Sequence, residues 1–238
     1  MKVAYSATRN LYPYMLPSIT SLLEHNDVEK IYLVIEDDKM PFDVPDVCEC
    51  VNVSGQGYFR PDGPNSRSIY TYMAMMRITY AELFPHEDKL LQLDSDTIVC
   101  DDLTPVWEAD LTGKWFAAVP EYLSRYRPFG AGIYYNIGVC LYNLAQLRAD
   151  GAVPKLVTWL NTTLASCVEQ DALNLFGVYR EARAVTLPTR YNECFATGAS
   201  DDPAVVHYAG YPNWMENRDM PRLEYLDKYR HLFRAREV

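Results

Sequence analysis

An apolar segment that ends in two carboxylates, residues 89–96, limits most strongly how this chain can fold. It reads KLLQLDSD, with Asp94 and Asp96 separated by one residue. A short apolar run bounded by a turn predicts a strand that is buried on both faces. Open α/β sheets bind their ligands at the carboxyl ends of such strands. We therefore expect the two aspartates to lie at a ligand site, where their oxygen atoms suit a divalent cation.

Strands and helices alternate along the first half of the chain, which favours a parallel sheet with helices on its faces. The predicted class is therefore α/β. Strands are predicted at 3–6, 31–35, 47–53, 89–93, 97–99, 115–119, 134–142 and 205–208, and helices at 13–25, 69–84, 153–167, 170–176 and 221–233. A further short helix is expected after residue 103, with Thr104 as its N-cap and Pro105 as its first residue.

Size and charge narrow the class of protein. The chain has 238 residues, a net charge of −10 and a pI near 4.9. The length fits one large domain, and the acidic balance argues against a nucleic-acid-binding protein, which would carry a basic surface. No apolar run approaches about 18 residues, so no transmembrane segment is expected. Residues 218–238 hold six Lys or Arg against four Asp or Glu, too small an excess to predict peripheral membrane contact.

The cysteines and the N-terminal residues indicate in which cellular compartment the protein is expected. The six cysteines have no paired spacing of the kind found in zinc sites. Cys48 and Cys50 would share one face of a predicted strand, and we interpret all six as reduced thiols. Residues 1–6 begin a strand and lack the apolar core of a signal peptide. A cytoplasmic protein is expected.

A single Asp-x-Asp pair is weak support for a metal site, because about one is expected by chance in a chain this rich in aspartate. Its context strengthens the interpretation. The pair stands between two apolar strand segments, where two carboxylates would repel each other unless a cation neutralised them. A solvated turn is the structural alternative.

Residues 89–107, KLLQLDSDTIVCDDLTPVW, resemble the metal-binding segment of the retaining glycosyltransferases of family 8, which have the GT-A fold. Three further segments match that family in the same order: residues 135–144, YNIGVCLYNL; residues 169–174, EQDALN; and residues 206–214, VHYAGYPNW. The resemblance covers most of the chain and implies a single Rossmann-like GT-A domain over residues 1–238. Residues 1–110 would form its nucleotide- and metal-binding half, residues 111–214 its acceptor and sugar half, and residues 215–238 a helical tail.

The resemblance implies transfer of a hexose, glucose or galactose, from a UDP-sugar to a hydroxyl group with retention of configuration. Asp94, Asp96 and His207 would hold Mn²⁺ or Mg²⁺, and an imidazole ligand favours Mn²⁺. For His207 alone, a satisfied core histidine is the alternative. The acceptor, whether glycan, lipid-linked or protein, stays open, and so does the oligomeric state.

Donor-binding residues are implied in the same way. Besides the three metal ligands, they are Thr8, Asn10, Tyr12, Arg77, Ser95, Asn136, Gly138, Gly210 and Asn213. Two of them depart from the family pattern. Asn213 stands where the family commonly has a lysine that contacts the diphosphate, and Thr8 stands near the place where many relatives have an aspartate that reads the uracil ring. Without that lysine, either donor affinity is lower or Arg9 or Arg60 replaces it, and uracil specificity is open.

The catalytic residues implied by the resemblance are Gln170, Glu169 and Asp171. Gln170 matches the residue near the anomeric carbon, but an amide is a poor nucleophile. A front-face path, in which the acceptor attacks from the side of the leaving group, is therefore favoured. Glu169 or Asp171 acting as a carboxylate nucleophile is the alternative. The structural alternative to a catalytic role is an acidic first helical turn that complements the helix dipole.

Two other functions compete with this interpretation. The first is a phosphohydrolase of the haloacid dehalogenase type, which also places an aspartate pair after a buried strand. The second is a protein that binds a nucleotide sugar without turning it over. Residues 54–68 are a candidate lid over the donor, and residues 123–133 are a candidate part of the acceptor site.

Overall fold

A computed structural model describes residues 1–122, 132–211 and 213–233. Its centre is a seven-stranded sheet with the order β3-β2-β1-β4-β7-β6-β8, and a separate two-stranded sheet pairs β5 with β9. The strands are β1 (Lys2–Ser6), β2 (Lys30–Ile35), β3 (Cys48–Asn52), β4 (Lys89–Leu93), β5 (Thr97–Val99), β6 (Phe116–Glu121), β7 (Tyr134–Asn143), β8 (Ala184–Thr186) and β9 (Val205–His207). The α/β class is confirmed, while β8 was not predicted.

The large sheet is mostly parallel, and β7 is its antiparallel member. β3, β2, β1 and β4 run parallel, and β6 runs parallel to β8. β7 pairs antiparallel with β4 and β6, with Leu93 opposite Val139 and Glu121 opposite Tyr134. The first half of β7 therefore lies beside the carboxyl ends of β4 and β6. This arrangement gathers residues from three strands at one edge of the sheet.

The described helices are α1 (Tyr12–His25), α2 (Tyr72–Met76), α3 (Tyr80–Leu83), α4 (Thr104–Trp107), α5 (Leu144–Ala149), α6 (Ala152–Thr162), α7 (Val168–Leu173) and α8 (Leu223–Asp227). A π-helix at Asn174–Arg180 continues α7. None of the helices in the described ranges has the length and apolar composition needed to cross a bilayer.

Three helix predictions need correction. The helix predicted at 69–84 begins only at Tyr72 and is divided by a 3₁₀ turn at Arg77–Thr79, where the Thr79 hydroxyl donates to the Met76 carbonyl at 2.7 Å. The predicted terminal helix is a short α8 followed by a separate 3₁₀ turn. Thr104 is not an N-cap: it is the first residue of α4, and the carboxylate of Asp102 accepts its backbone N–H at 2.8 Å.

Both faces of the large sheet are covered. Leu90 packs in a cluster with α2, α3, α5 and α6, whereas Leu91 and Leu93 pack in a second cluster with α1 and α4. Every residue from Leu90 to Leu93 is fully buried, which confirms the prediction of a strand covered on both sides. A strand held on both faces has little freedom to shift, so the two aspartates that follow it are firmly positioned.

A third apolar cluster joins the C-terminal segment to β9 and α1. The Tyr208 and Trp214 rings stack with centroids 4.9 Å apart, and Trp214 also stacks on Tyr14 of α1. At its far end, Lys228 pairs with Glu24 at 2.5 Å. The cysteines are all free thiols.

Candidate active site

A cavity of about 300 Å³ opens at the carboxyl edge of the sheet. Its charged and polar lining residues are Arg77, Asp94, Asp96, Glu121, Asn136, Glu169, Gln170 and His207. Its glycine and apolar lining residues are Ile69, Tyr70, Ala74, Ile137, Gly138, Cys167, Phe195, Ala196, Ala209 and Gly210. Residues distant in sequence thus meet in one cleft.

Asp94, Asp96 and His207 form a compact cluster within this cavity. Each offers one ligand atom, and these atoms all lie within 4.8 Å of one another. The Nε2 atom of His207 lies 3.5 Å from Asp94 Oδ2 and 3.2 Å from Asp96 Oδ1. The cluster arises because β5 pairs with β9 so that Thr97 faces His207, and because the Tyr208 amide donates to the Asp96 carbonyl at 2.8 Å.

Gly138 makes room for this cluster. A Cβ atom at this position would lie 2.2 Å from His207 Cε1 and 3.0 Å from Asp94 Oδ2. The Gly138 carbonyl also accepts the Asp94 amide at 2.8 Å, which aligns the strand end. Two carboxylates and one imidazole, held around a space that glycine leaves open, are a donor set that fits Mn²⁺.

The two carboxylates of the cluster favour a positive charge between them, carried by a protonated His207. Burial of His207 acts to lower its pKa, but the negative charges of Asp96 and Asp94 and the hydrogen bonds to Asp96 and Cys194 together outweigh burial and raise this pKa well above 6.5. Burial raises the pKa of Asp94, whereas the opposing charge of His207 keeps that of Asp96 low. A cation bound between the two carboxylates would take the place of the imidazolium charge, so metal binding and loss of a proton from His207 are linked.

Arg77 joins the cluster to α7. Its guanidinium lies 2.6 Å from Asp94 Oδ1 and 3.2 Å from Glu169 Oε1, and its Nε donates to the Ser6 hydroxyl at 3.1 Å. Burial raises the pKa of Glu169 to about 7, against the opposing charge of Arg77. Glu169 Oε2 is buried and has no hydrogen-bond partner within the described part of the chain. A buried acceptor of this kind is suited to a ligand hydroxyl.

The three predicted catalytic residues separate in the structure. Glu169 and Gln170 line the cavity, and Gln170 Oε1 accepts the Ile137 amide at 3.2 Å. Asp171 points away from the cavity lining. Its carboxylate accepts the Tyr134 hydroxyl at 2.5 Å and the amides of residues 166 and 167 at 2.8 and 3.0 Å. Successive helix residues face different directions, which is why the acidic run does not act as one group.

The residues predicted to face the base lie outside the cavity lining. Thr8 donates its hydroxyl to Asn10 Oδ1 at 2.6 Å, just beyond the carboxyl end of β1. Tyr12 is buried, and its hydroxyl accepts the Glu36 amide at 2.8 Å and donates to Asp37 at 3.0 Å. The Tyr12 side chain is therefore committed to holding the chain after β2.

The substitutes expected for a lysine at position 213 are also absent from the lining. Arg9 and Arg60 each form an ion pair with a neighbouring aspartate, at 2.8 and 2.9 Å. Asn213 has φ +55 and lies outside the lining, as does the buried Ser95. In the described residues, Arg77 is the cation that reaches the cavity.

Sequence reasoning missed Glu121 and Asn192. Glu121 is the last residue of β6, much as Asp94 directly follows β4. An acidic residue at the end of a buried strand could therefore have been recognised in the sequence. Its Oε1 atom accepts the Asn136 side-chain amide at 2.7 Å, and burial raises its pKa. Asn192 lies in a short 3₁₀ turn and contacts both Asn136 and His207 at 2.7 and 2.8 Å. Nothing in the local sequence around Asn192 marks it.

The candidate lid and the candidate acceptor region have different outcomes. Residues 54–68 are tied to α6, because Asn65 donates to the carbonyls of Leu160 and Thr163 at 2.7 and 2.9 Å. No residue of 54–68 lines the cavity; Ile69 and Tyr70, directly after it, do. Of the candidate acceptor region 123–133, residues 123–131 lie outside the described residues.

Comparison with known proteins gives matches over the whole chain. Glycosyltransferase GlyE of Streptococcus pneumoniae is 31% identical over 74% of this chain and 43% of that protein. General stress protein A of Bacillus subtilis is 24% identical over 97% of this chain and 92% of that protein. The chain thus spans less than half of GlyE. A crystal structure of galactosyltransferase LgtC with donor and acceptor sugar analogues matches with a TM-score of 0.71 and 19% identity, covering 100% of this chain and 98% of that one.

The structural match shows the GT-A fold expected from the four sequence segments. The model of the family described as Glycosyl transferase family 8 matches residues 2–217, which include the cavity and the Asp94, Asp96 and His207 cluster. The chain therefore belongs to glycosyltransferase family 8.

Proposed function

We propose that this glycosyltransferase is metal-dependent and transfers a hexose, glucose or galactose, from a UDP-sugar to a hydroxyl acceptor with retention of configuration. The observation that carries the proposal is the cluster of Asp94, Asp96 and His207 in the same cavity as Glu121 and Gln170. A metal site beside hydrogen-bonding groups for hydroxyls is what a sugar diphosphate needs. Family membership removes the support for a phosphohydrolase, which would need a different fold.

Asp94, Asp96 and His207 would hold Mn²⁺ or Mg²⁺, which when bound would neutralise charge on the diphosphate leaving group. Arg77 would fix the direction of the Asp94 carboxylate through their 2.6 Å ion pair. Thr8 and Asn10, at the carboxyl end of the neighbouring strand β1, would face the base. Because Thr8 is not acidic, base selection would rest on its hydroxyl and on the amide of Asn10.

The sugar would lie against Glu121, Asn136 and Gln170. Glu121 and Asn136 are hydrogen-bonded to each other at 2.7 Å, and the Gln170 amide lies 3.4 Å from Glu121. These groups offer both donors and acceptors to sugar hydroxyls. Gly210 has φ +76, and a Cβ there would lie 3.0 Å from the Phe195 ring, so glycine permits this close approach beside the cavity.

A front-face path fits the residues near Gln170. Glu169 is paired with Arg77, its pKa is about 7, and the ion pair and its partial protonation make it a weak nucleophile. Asp171 is engaged by three donors away from the cavity. In the proposed step, the bond from the anomeric carbon to the phosphate oxygen breaks. The acceptor oxygen bonds to the same face, and its proton passes to the leaving phosphate.

The open side of the cavity suits a sugar acceptor. Ile69 is 91% exposed and Phe195 is 44% exposed, and Tyr70 lies beside them in the lining. The C–H faces of pyranose rings are apolar and pack on aromatic side chains. A glycan acceptor is therefore favoured over an anionic one, since the cavity already contains four carboxylates, Asp94, Asp96, Glu121 and Glu169.

The experiment that tests this proposal measures UDP release from UDP-glucose and UDP-galactose with and without Mn²⁺. Metal-dependent release is expected with one donor, together with thermal stabilisation by that donor. Asp96→Ala should reduce release by roughly a hundredfold or more, whereas Asp62→Ala, at an exposed ion pair, should not. Stabilisation without release, even with added sugar acceptors, would favour a non-catalytic binder. No response to any nucleotide sugar would contradict both functions.

A further inference from the structure

A chain of side-chain amides connects Glu121 to His207 through the interior of the protein. Asn136 Nδ2 lies 2.7 Å from Glu121 Oε1, and Asn192 Nδ2 lies 2.7 Å from Asn136 Oδ1. Asn192 Oδ1 lies 2.8 Å from His207 Nδ1. All four side chains are buried, and Asn192 is fully so. The chain ends at a histidine whose other nitrogen faces two carboxylates.

One backbone group, the Gly138 amide, determines the direction of every hydrogen bond in this series of side chains. The Gly138 amide can only donate, and it contacts Asn136 Oδ1 at 3.0 Å. The oxygen of Asn136 is therefore on that side, and its NH₂ group faces the carboxylate of Glu121. Asn192 must then donate its own NH₂ group to Asn136 Oδ1. The remaining oxygen of Asn192 faces His207 Nδ1 and requires a proton there.

We propose that Asn192 is a positioning residue that keeps the proton of His207 on Nδ1 and so leaves the Nε2 lone pair for the metal ion. The inference rests on the proposed metal-dependent function. Metal-binding histidines as a rule donate their second ring N–H to an oxygen acceptor, which fixes both ring orientation and tautomer. Here the acceptor is a neutral amide, and the Gly138 amide sets its orientation through Asn136, whose NH₂ group Glu121 accepts.

The opposite tautomer would work against metal binding. With its proton on Nε2, His207 would donate to Asp96 at 3.2 Å, and the lone pair needed by the ion would be lost. The imidazole ring cannot rotate to present its other nitrogen to the aspartates. Gly138 is packed against its Cε1 edge, and the His207 amide donates to the Glu193 carbonyl at 2.8 Å. The Asn192 oxygen therefore favours the proton on Nδ1 and leaves Nε2, the nitrogen that faces the two aspartates, free to bind the ion.

Three variants test the proposal by Mn²⁺ titration of the protein without a sugar nucleotide, with free Mn²⁺ measured by electron paramagnetic resonance. Asn192→Leu keeps the volume but removes the acceptor, and should raise the Kd for Mn²⁺ by roughly 10–100-fold. Asn192→Asp keeps an oxygen for Nδ1–H and should bind within about threefold of the wild type or more tightly. Asn65→Leu removes another buried asparagine, one that is hydrogen-bonded to α6 and lies away from the metal cluster. It should lower stability without changing the Kd.

A second readout reports the tautomer itself. Long-range ¹H–¹⁵N spectra of ¹⁵N-histidine-labelled protein with Mg²⁺ should show Nδ1 of His207 protonated in the wild type and Asn192→Asp. Asn192→Leu should instead show proton density at Nε2. Should the leucine prevent folding, Asn192→Ala removes the same acceptor without a branched side chain.

The outcomes separate this inference from the proposed function. A folded Asn192→Leu that binds Mn²⁺ as the wild type does, or an Asn192→Asp as weak as Asn192→Leu, would overturn the inference alone. A wild-type protein that shows neither Mn²⁺ binding nor metal-dependent UDP release would instead overturn the proposed function.

Discussion

At the scale of single residues, the candidate site depends on very short distances between groups that are far apart in the chain. Gly138 illustrates this, because its missing side chain is the space that His207 occupies. Asp94 and Asp96 were recognisable from the strand that precedes them. Glu121 has the same placement but was overlooked, and Asn192 carries no local signal because its role depends only on its partners.

Gly138→Ala is expected to disrupt the metal site. Its Cβ would lie 2.2 Å from His207 Cε1, so the imidazole must move. We expect Mn²⁺ binding to weaken by roughly tenfold or more and UDP release to fall with it. Gly57→Ala is the matched control, since a Cβ there meets nothing within 4 Å. Equal Mn²⁺ affinity in both variants would show that His207 does not bind the ion.

Glu169 gives the protein a pH-dependent stability with a defined sign. Burial raises its folded pKa from the ordinary value of 4.5 to about 7. The folded state therefore holds this proton more tightly than the unfolded state does, and the contribution is complete below pH 4.5 and lost as pH rises through 7. Urea unfolding of metal-free protein should show a loss of at most about 3 kcal/mol from this group between pH 5 and 8. Glu169→Gln should flatten that slope; an unchanged slope would contradict the assignment.

At the scale of elements, neighbouring residues of α7 have different tasks. Val168–Leu173 presents Glu169 and Gln170 to the cavity and buries Asp171 on its other side. The helical pattern was predictable, but the direction of each side chain depended on where α7 docks. The same limit applies to the helix predicted at 69–84, since the 3₁₀ turn within it is stabilised by a hydroxyl–carbonyl bond that propensity does not anticipate.

Asp171→Ala is expected to act on stability. The change leaves the Tyr134 hydroxyl and the Cys167 amide without their acceptor in buried positions, and also removes the acceptor of the amide of the exposed Ser166. Each buried donor left unsatisfied costs about 1–3 kcal/mol, so the two buried donors give an expected total loss of roughly 2–6 kcal/mol. Urea unfolding measures it, with Asp43→Ala at an exposed position as the control. A loss no greater than that of the control would show that Asp171 does not hold the start of α7.

At the scale of the whole molecule, the C-terminal segment supports the metal site from behind. Trp214 stacks on Tyr208, which directly follows His207 at the end of β9, and on Tyr14 of α1. The apolar cluster around these rings holds β9 against β5, the strand that begins directly after Asp96. Packing in one part of the molecule therefore maintains distances in another.

Trp214→Ala is expected to lower both stability and metal affinity. Removing a buried tryptophan costs about 3–5 kcal/mol, and the loss should let β9 and His207 move. Trp159→Ala, on the opposite side of the large sheet and packed edge-on against Phe176, is the control. It should lower the melting temperature and leave the Kd for Mn²⁺ near the wild-type value. A Trp214→Ala protein with unchanged Kd would show that the C-terminal cluster does not support the site.

The amino-acid sequence by itself determined the α/β class, the buried strand before Asp94 and the family, because hydrophobic period, strand ends and ordered motifs are local properties. Only the tertiary structure decided that Asp171 faces away, that Arg77 bridges Asp94 and Glu169, and that Asn192 joins Asn136 to His207. Those relations are distances between groups up to 92 residues apart, from Arg77 to Glu169. They depend on how the strands pair and the helices dock, and local sequence does not encode them separately.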